Sequence, residues 1–290
     1  MARTPHRPAE LVGRIFRGSD ALQQGLLTGS QLRGPAWRRL FRNVYVDADL
    51  PPTHALRCEA AGLILPAEAA ITSYSAACLA GLPIGEPRDE VVVVVPPPSR
   101  LRVRGLQVRH APLHPEEVVR GALPTTTPLR TAWELARERD LLDAVAGLDL
   151  MLSYDHVTAA ELAARAAERP HSRAATAIRL ADARAGSPPE SRLRVKLVQA
   201  GFPAPVPQFE IRARDGDVRV DLGWPALRVG ANYYRDSEHF YGDVYRRNAL
   251  GFARWTVFSA GVEDLDDPEC FARFCDYLRG AMRRSRDEAL

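Results

Sequence analysis

The sequence predicts an α+β protein built in successive parts, and three stretches carry that expectation. A basic region near the N-terminus reads as two short helices followed by an alternating ribbon, Trp37-Arg-Arg-Leu-Phe-Arg-Asn-Val-Tyr-Val46. A β-branched run, Glu90-Val-Val-Val-Val-Val-Pro96, reads as a buried strand, with the alternating Leu106-Gln-Val-Arg-His110 as its neighbour. The last hundred residues read helix, three strands, helix, strand, helix, an αβββαβα order.

Composition sets the class. The 290 residues are 46% apolar and 26% charged, which is ordinary for a folded chain and excludes a disordered one. Met1-Ala-Arg-Thr-Pro-His-Arg-Pro8 has no apolar leader region, and no apolar run approaches ~18 residues. The expectation is a cytoplasmic protein with no membrane contact. Cys58, Cys78, Cys270 and Cys275 show neither CxxC spacing nor clustered histidines, so they read as small apolar residues and no zinc is expected.

Charge is concentrated at one end. Residues 1–46 hold eight arginines against Glu10 and Asp20, a local +6, while the whole chain is only +3. Lys196 is the single lysine, so the choice of arginine over lysine carries no weight. Within residues 1–50, Asp20-Ala-Leu-Gln-Gln-Gly25 reads as one helix and Thr28-Gly-Ser-Gln-Leu-Arg33 as a second with a hydroxyl cap. Helix, turn, helix and basic ribbon is the order in which a winged helix offers a helix to the major groove and a hairpin to the backbone. DNA is the expected partner, with Arg33, Arg38, Arg39 and Arg42 as the contacting residues. The competing reading is a solvated basic cap on the next domain.

A mixed α/β domain is expected over residues 51–152. Thr53 to Leu65 and Ser73 to Leu82 have helical spacing, and Gly81 and Pro83 end the second. Thr127-Pro128 opens a further helix with threonine at the cap and proline at its first position. No acids, histidines or nucleophiles converge here, and His110 and His114 read as loop residues.

The order of the basic head, Ile71-Thr-Ser-Tyr-Ser-Ala-Ala-Cys-Leu-Ala-Gly-Leu82, the valine strand, and Leu123-Pro-Thr-Thr-Thr-Pro-Leu-Arg-Thr-Ala-Trp-Glu-Leu-Ala136 resembles the abortive-infection type IV antitoxin family over residues 10 to 150. The resemblance implies a DNA-binding head that represses its own promoter, and a cognate toxin protein as a second partner. Such heads also occur fused to other domains.

A helical connector spans residues 153–186. Thr158-Ala-Ala-Glu161 is a capping box, and Ser172 to Ala185 is expected to form a second helix stopped by Gly186. The last domain, 187–290, starts with an amphipathic helix from Pro189 to Ala200 stopped by Gly201. Gln208 to Ala213 and Val218 to Leu222 are expected strands joined by the Asp215-Gly216 turn, and Leu227 to Tyr234 is the third. A helix from 242 to 253, a strand from Trp255 to Phe258 and a helix from Pro268 to Met282 complete the order.

That order, with Ser187-Pro-Pro-Glu190, Val220-Asp221-Leu-Gly-Trp-Pro225, Glu238-His239 and Arg246-Arg-Asn-Ala-Leu250, is similar to the very-short-patch-repair endonucleases and their relatives. The resemblance implies a restriction-endonuclease-like fold. It implies Glu190 and Asp221 as Mg²⁺ ligands, His239 as general base or water holder, and Arg246 and Arg247 as phosphate clamps. The chain departs from the family on the third strand. Asn232 and Tyr234 stand where the family has acids, so the expected magnesium site is weakened, though Asn232 retains a carbonyl oxygen. The relatives' cysteine-bound zinc has no counterpart.

Each of these residues also has a plainer role. Glu190 fits a Ser-x-x-Glu capping box, His239 a helix start, and Arg246 and Arg247 a solvated helix face. Asp221 lies inside an apolar strand, where a charge needs a partner or a metal. Three functions stay open: a Mg²⁺-dependent DNA endonuclease with an impaired site, an antitoxin-type transcriptional regulator with an inactive nuclease-like domain, and a protein scaffold without nucleic acid.

Overall fold

The computed structural model describes residues 5–213, 216–234, 250–251 and 253–287. It is a mixed α+β structure that divides into two compact units, 1–134 and 135–290. Residues 153–186, the expected connector, fall within the second unit. Among the described residues no helix is long and apolar enough to cross a membrane.

In the first unit, β1 (Ile15–Arg17), α1 (Gly18–Gln23), α2 (Gly29–Leu32), β2 (Trp37–Phe41) and β3 (Val44–Asp47) form the head. Its strands lie in the order β1-β3-β2, all antiparallel. Two helices between the first and second strands, then a hairpin paired to the first, is the winged-helix arrangement expected from the basic region. The Thr28 side chain accepts from the Gln31 N–H and the Gln31 side chain answers the Thr28 N–H, closing the single turn of α2. Leu11, Phe16, Ala21, Leu27, Leu32, Ala36 and Trp37 give the head its own core, with Phe16 edge-on to Trp37 at 5.2 Å.

The rest of this unit is α3 (His54–Gly62), β4 (Ala70–Ile71), α4 (Ser73–Leu79), β5 (Val91–Val95), β6 (Leu106–His110), β7 (Val118–Val119), β8 (Thr125–Thr126) and α5 (Pro128–Leu135). The sheet order is β6-β5-β4-β8-β7. All five valines of β5 are buried, and β6 pairs with it in parallel, as the two runs imply. The polar residues of the 123–136 motif have a structural use. Glu134 is fully buried, clamped by Arg130 at 3.0 Å and Arg109 at 3.0 Å, while Arg130 also holds Glu117 at 2.6 Å. Thr72, Thr126 and Thr131 form a buried hydroxyl chain. His110 and His114 are exposed.

The second unit holds α6 (Leu141–Ser153), α7 (Ala159–Ala167), α8 (Arg173–Leu180), α9 (Pro188–Gln199), β9 (Val206–Ile211), β10 (Val218–Trp224), β11 (Val229–Tyr233), β12 (Thr256–Ala260), α10 (Val262–Asp266) and α11 (Pro268–Asp287). The sheet order is β12-β11-β10-β9, antiparallel except for the parallel β11–β12 pair. Leu193 and Leu197 of α9 and Phe274 and Leu278 of α11 pack with Leu222, Trp224, Val229 and Ala231 in one core.

One expectation is corrected here. Helix α8 stops at Leu180 instead of running to Ala185, because the buried Arg194 of α9 donates to the Leu180 carbonyl at 2.6 Å. The same guanidinium pairs with Asp149 of α6 at 2.7 Å, and Asp149 also accepts from the Asp182 N–H at 2.7 Å. A pair that is 6% and 2% exposed thus ties α6, α8 and α9 together. The chain before the last helix also carries α10, capped by Asp264 on the Gly261 N–H. The helix expected at 242–253 lies outside the described residues apart from Leu250 and Gly251, which are helical, and Ala253, which is in a turn.

Candidate functional site

The candidate site lies where α9 begins and where β9, β10 and β11 run side by side. Ser187 caps α9, its hydroxyl oxygen accepting from the Glu190 N–H at 3.4 Å, and its O–H donates to the Glu190 carboxylate at 2.9 Å. The other carboxylate oxygen accepts from the Gly186 N–H at 3.2 Å. The expected capping box is thus only half formed: Ser187 caps the Glu190 N–H, while the Glu190 carboxylate is fixed by the Ser187 hydroxyl and the Gly186 N–H and not by the Ser187 N–H.

Asp221 is set by sheet register. The pairing of Leu222 with Ala231 places Asp221 opposite Asn232, and the pairing of Val220 with Phe209 and Leu222 with Pro207 places it opposite Gln208. At this row, side chains take over from the backbone ladder. The Asp221 N–H donates to Asn232 Oδ1 at 3.0 Å, and the Tyr233 N–H donates to Asp221 Oδ2 at 2.7 Å. Asn232 is 3% exposed, and its carbonyl oxygen accepts from the Asp221 backbone N–H.

Gln208 joins the two acids. Its amide nitrogen donates to Glu190 at 2.6 Å and lies 3.4 Å from Asp221 Oδ1. The residue is held in the left-handed region, φ +48, at a cost on the order of 1–2 kcal/mol. Sequence reading treats Gln208 as the start of a strand and assigns it no role, since neither its conformation nor its reach to Glu190 is visible in a one-dimensional pattern. Gly186 makes room for the contact: a Cβ there would stand 2.7 Å from the Gln208 amide and 2.8 Å from the Glu190 carboxylate. These groups open on a polar cleft of ≈ 780 Å³, whose wall also includes Arg184 and Arg219.

Burial, and then the negative charge of Asp221, push the Glu190 carboxyl above the ordinary carboxylate range, against the bonds from Ser187, Gln208 and Gly186. The folded protein thus keeps this proton to a higher pH than the unfolded chain does. Stability is greatest below the ordinary range of a glutamate and falls as pH rises through it toward the raised folded value. Glu190→Gln is expected to flatten the fall in urea midpoint across that window. An unchanged pH profile in this variant would remove Glu190 as its source.

The donor set does not fit a magnesium cage in this arrangement. Magnesium requires near-octahedral oxygen ligation at about 2.0–2.1 Å. Here two carboxylates are engaged by N–H and O–H donors, the amide nitrogen of Gln208 lies between them, and the Asn232 carbonyl is committed to backbone. Among the described residues no group of three or more His, Cys, Asp or Glu side chains could hold a metal. His239, Arg246, Arg247 and Glu238 lie outside the described residues.

In the head, Arg33, Arg39 and Arg42 are exposed around α2 and the β2–β3 hairpin. Arg38 differs. Its guanidinium donates to the Leu50 carbonyl at 2.9 Å and the Ala48 carbonyl at 3.4 Å, so it secures the strand end instead of facing solvent. Cys58 and Cys275 are buried, and burial pushes the Cys58 thiol up to about 12.

The structure thus defines an α+β protein of two compact units, the first with a winged-helix-like head and the second with a paired-acid cleft on a four-stranded sheet. No family model matches this chain. It is 31% identical over 150 residues to two curated proteins of Mycobacterium tuberculosis, "Uncharacterized protein MT2308" of strain CDC 1551 / Oshkosh and "Uncharacterized protein Rv2248" of strain ATCC 25618 / H37Rv. The match covers 48% of this chain and 55% of each of theirs, so the chain spans about half the length of the curated relatives it matches. The crystal structure of RV2827C protein from Mycobacterium tuberculosis superposes with a TM-score of 0.41 at 15% identity, over 69% of this chain and 80% of that one.

Proposed function

We propose that this protein binds DNA through its head as an antitoxin-type regulator, and that its second unit is a nuclease-like domain whose acidic site is closed to divalent cations. The observation that carries the first half is the β1-β3-β2 sheet with two helices inserted and Arg33, Arg39 and Arg42 exposed around it. Each arginine that meets a phosphate releases counterions, so affinity falls steeply with salt. Replacing all three by glutamine is expected to weaken duplex binding and to reduce the logarithmic salt slope by about one per arginine, read by fluorescence anisotropy. An unchanged slope would exclude the head as the DNA contact.

The second half is carried by Gln208 standing between Glu190 and Asp221. A Mg²⁺-dependent endonuclease is the second reading, supported by the two acids converging on one cleft. Cleavage of plasmid DNA with Mg²⁺ or Mn²⁺ separates the two. Wild type and Asp221→Ala are expected to be equally inactive. Metal-dependent nicking by the wild type, abolished in Asp221→Ala, would establish the endonuclease instead. A cognate toxin partner belongs to the same regulatory reading, and co-purification with a neighbouring gene product would test it.

A further inference from the structure

The first unit contains a second concave site, a groove of ≈ 820 Å³ between the β2–β3 hairpin, α3 and the loops that lead into β5 and β6. Its wall carries Arg39, Arg42, Arg57, Arg88, Arg102 and Arg104, with Glu90 as the one carboxylate among the lining residues. The whole chain is only +3, so this is a local concentration and not a general surplus. Among the described residues none of the six is held in an ion pair. Six like charges around one concavity repel one another, and an anion bound between them relieves that repulsion.

The floor is built more specifically than the rim. Arg57 is half-buried, its guanidinium 5.0 Å from the centroid of the Phe41 ring. Its Nε is buried and without a hydrogen-bond partner. Gly105, buried and at φ +92, lets the guanidinium lie against the backbone, since a Cβ there would stand 2.6 Å from Arg57 Nη2 and 3.2 Å from Phe41. A stacked, sterically fitted guanidinium ringed by exposed arginines matches the forked, multi-oxygen geometry of phosphate. We infer that this groove binds phosphate groups, with Arg57 as the floor ligand and Arg102 and Arg104 as rim ligands. The phosphates come either from a free oligophosphate or from a DNA backbone passing the hairpin. The inference stands whether or not Arg33 and its neighbours in the head contact DNA.

The test uses the full chain and its Arg57→Gln and Arg102→Gln/Arg104→Gln variants. The second variant changes only exposed residues, so it keeps the test valid if Arg57→Gln unsettles the packing on Phe41. Isothermal titration with sodium pyrophosphate and anisotropy of a labelled duplex are read side by side. A free-phosphate site predicts pyrophosphate binding that weakens about tenfold in each variant while duplex affinity holds. A backbone site predicts that duplex affinity weakens by a similar factor and that pyrophosphate displaces the duplex. If folded variants bind both pyrophosphate and duplex as the wild type does, the groove is not a phosphate site.

Discussion

Arg194→Met is expected to destabilise the second unit by about 3–5 kcal/mol, measured as a fall in the urea midpoint. The size follows from what the side chain leaves behind. Asp149 is 2% exposed and keeps only hydrogen-bond donors when its guanidinium partner is removed, and a buried charge without a counter-charge costs several kcal/mol. The Leu180 carbonyl at the end of α8 also loses its donor. Arg194→Met combined with Asp149→Leu is expected to recover most of the loss, because the pair is replaced by apolar contact. A single variant within about 1 kcal/mol of the wild type would show that the tie between α6, α8 and α9 lies elsewhere.

Gln208→Glu is expected to turn the acidic cleft into a cation site. The substitution exchanges the amide that donates to Glu190 for a third carboxylate among three that then repel one another. Without metal the variant is destabilised. With Mn²⁺ or Mg²⁺ at ~100 times the dissociation constant it gains about 2.7 kcal/mol by mass action. The wild type is expected to show no such gain. A metal-dependent rise in wild-type stability equal to that of the variant would mean that Gln208 already yields its place to a cation, and the closed-site reading would fall.

Much of the architecture was legible because single stretches carry their own instructions. The five valines of β5 need no context to be read as a buried strand, and Ser187, Pro188 and Gly201 bracket α9 from sequence alone. The winged-helix order was readable from Thr28 and the Trp37–Val46 alternation, but β1 was not, because three residues give no period. The two-residue strands β4, β7 and β8 were hidden for the same reason. The end of α8 was misplaced because alanines 181, 183 and 185 favour helix, while Arg194, fourteen residues beyond Leu180, claims its carbonyl.

The site divides along the same line. Glu190 and Asp221 could be placed by their local patterns, and the structure brings them to one cleft. The use of Asn232 as a backbone acceptor, the left-handed turn of Gln208 and the diversion of Arg38 to carbonyl groups are tertiary facts. Each depends on which residue the fold sets opposite, and that information is spread over segments far apart in the chain.

The cap that Ser187 and Glu190 share at the head of α9 bears on how activity can be inferred from sequence in proteins of this kind. Glu190 fastens Ser187, Gly186 and Gln208 whether or not a phosphodiester is ever cut. Replacing it would remove the same bonds from an active and an inactive protein alike. The informative positions are those with no such second employment. On this sheet Gln208 and Asn232 are themselves so employed, bonded to Glu190 and to the Asp221 N–H, so their identities too are tied to the fold.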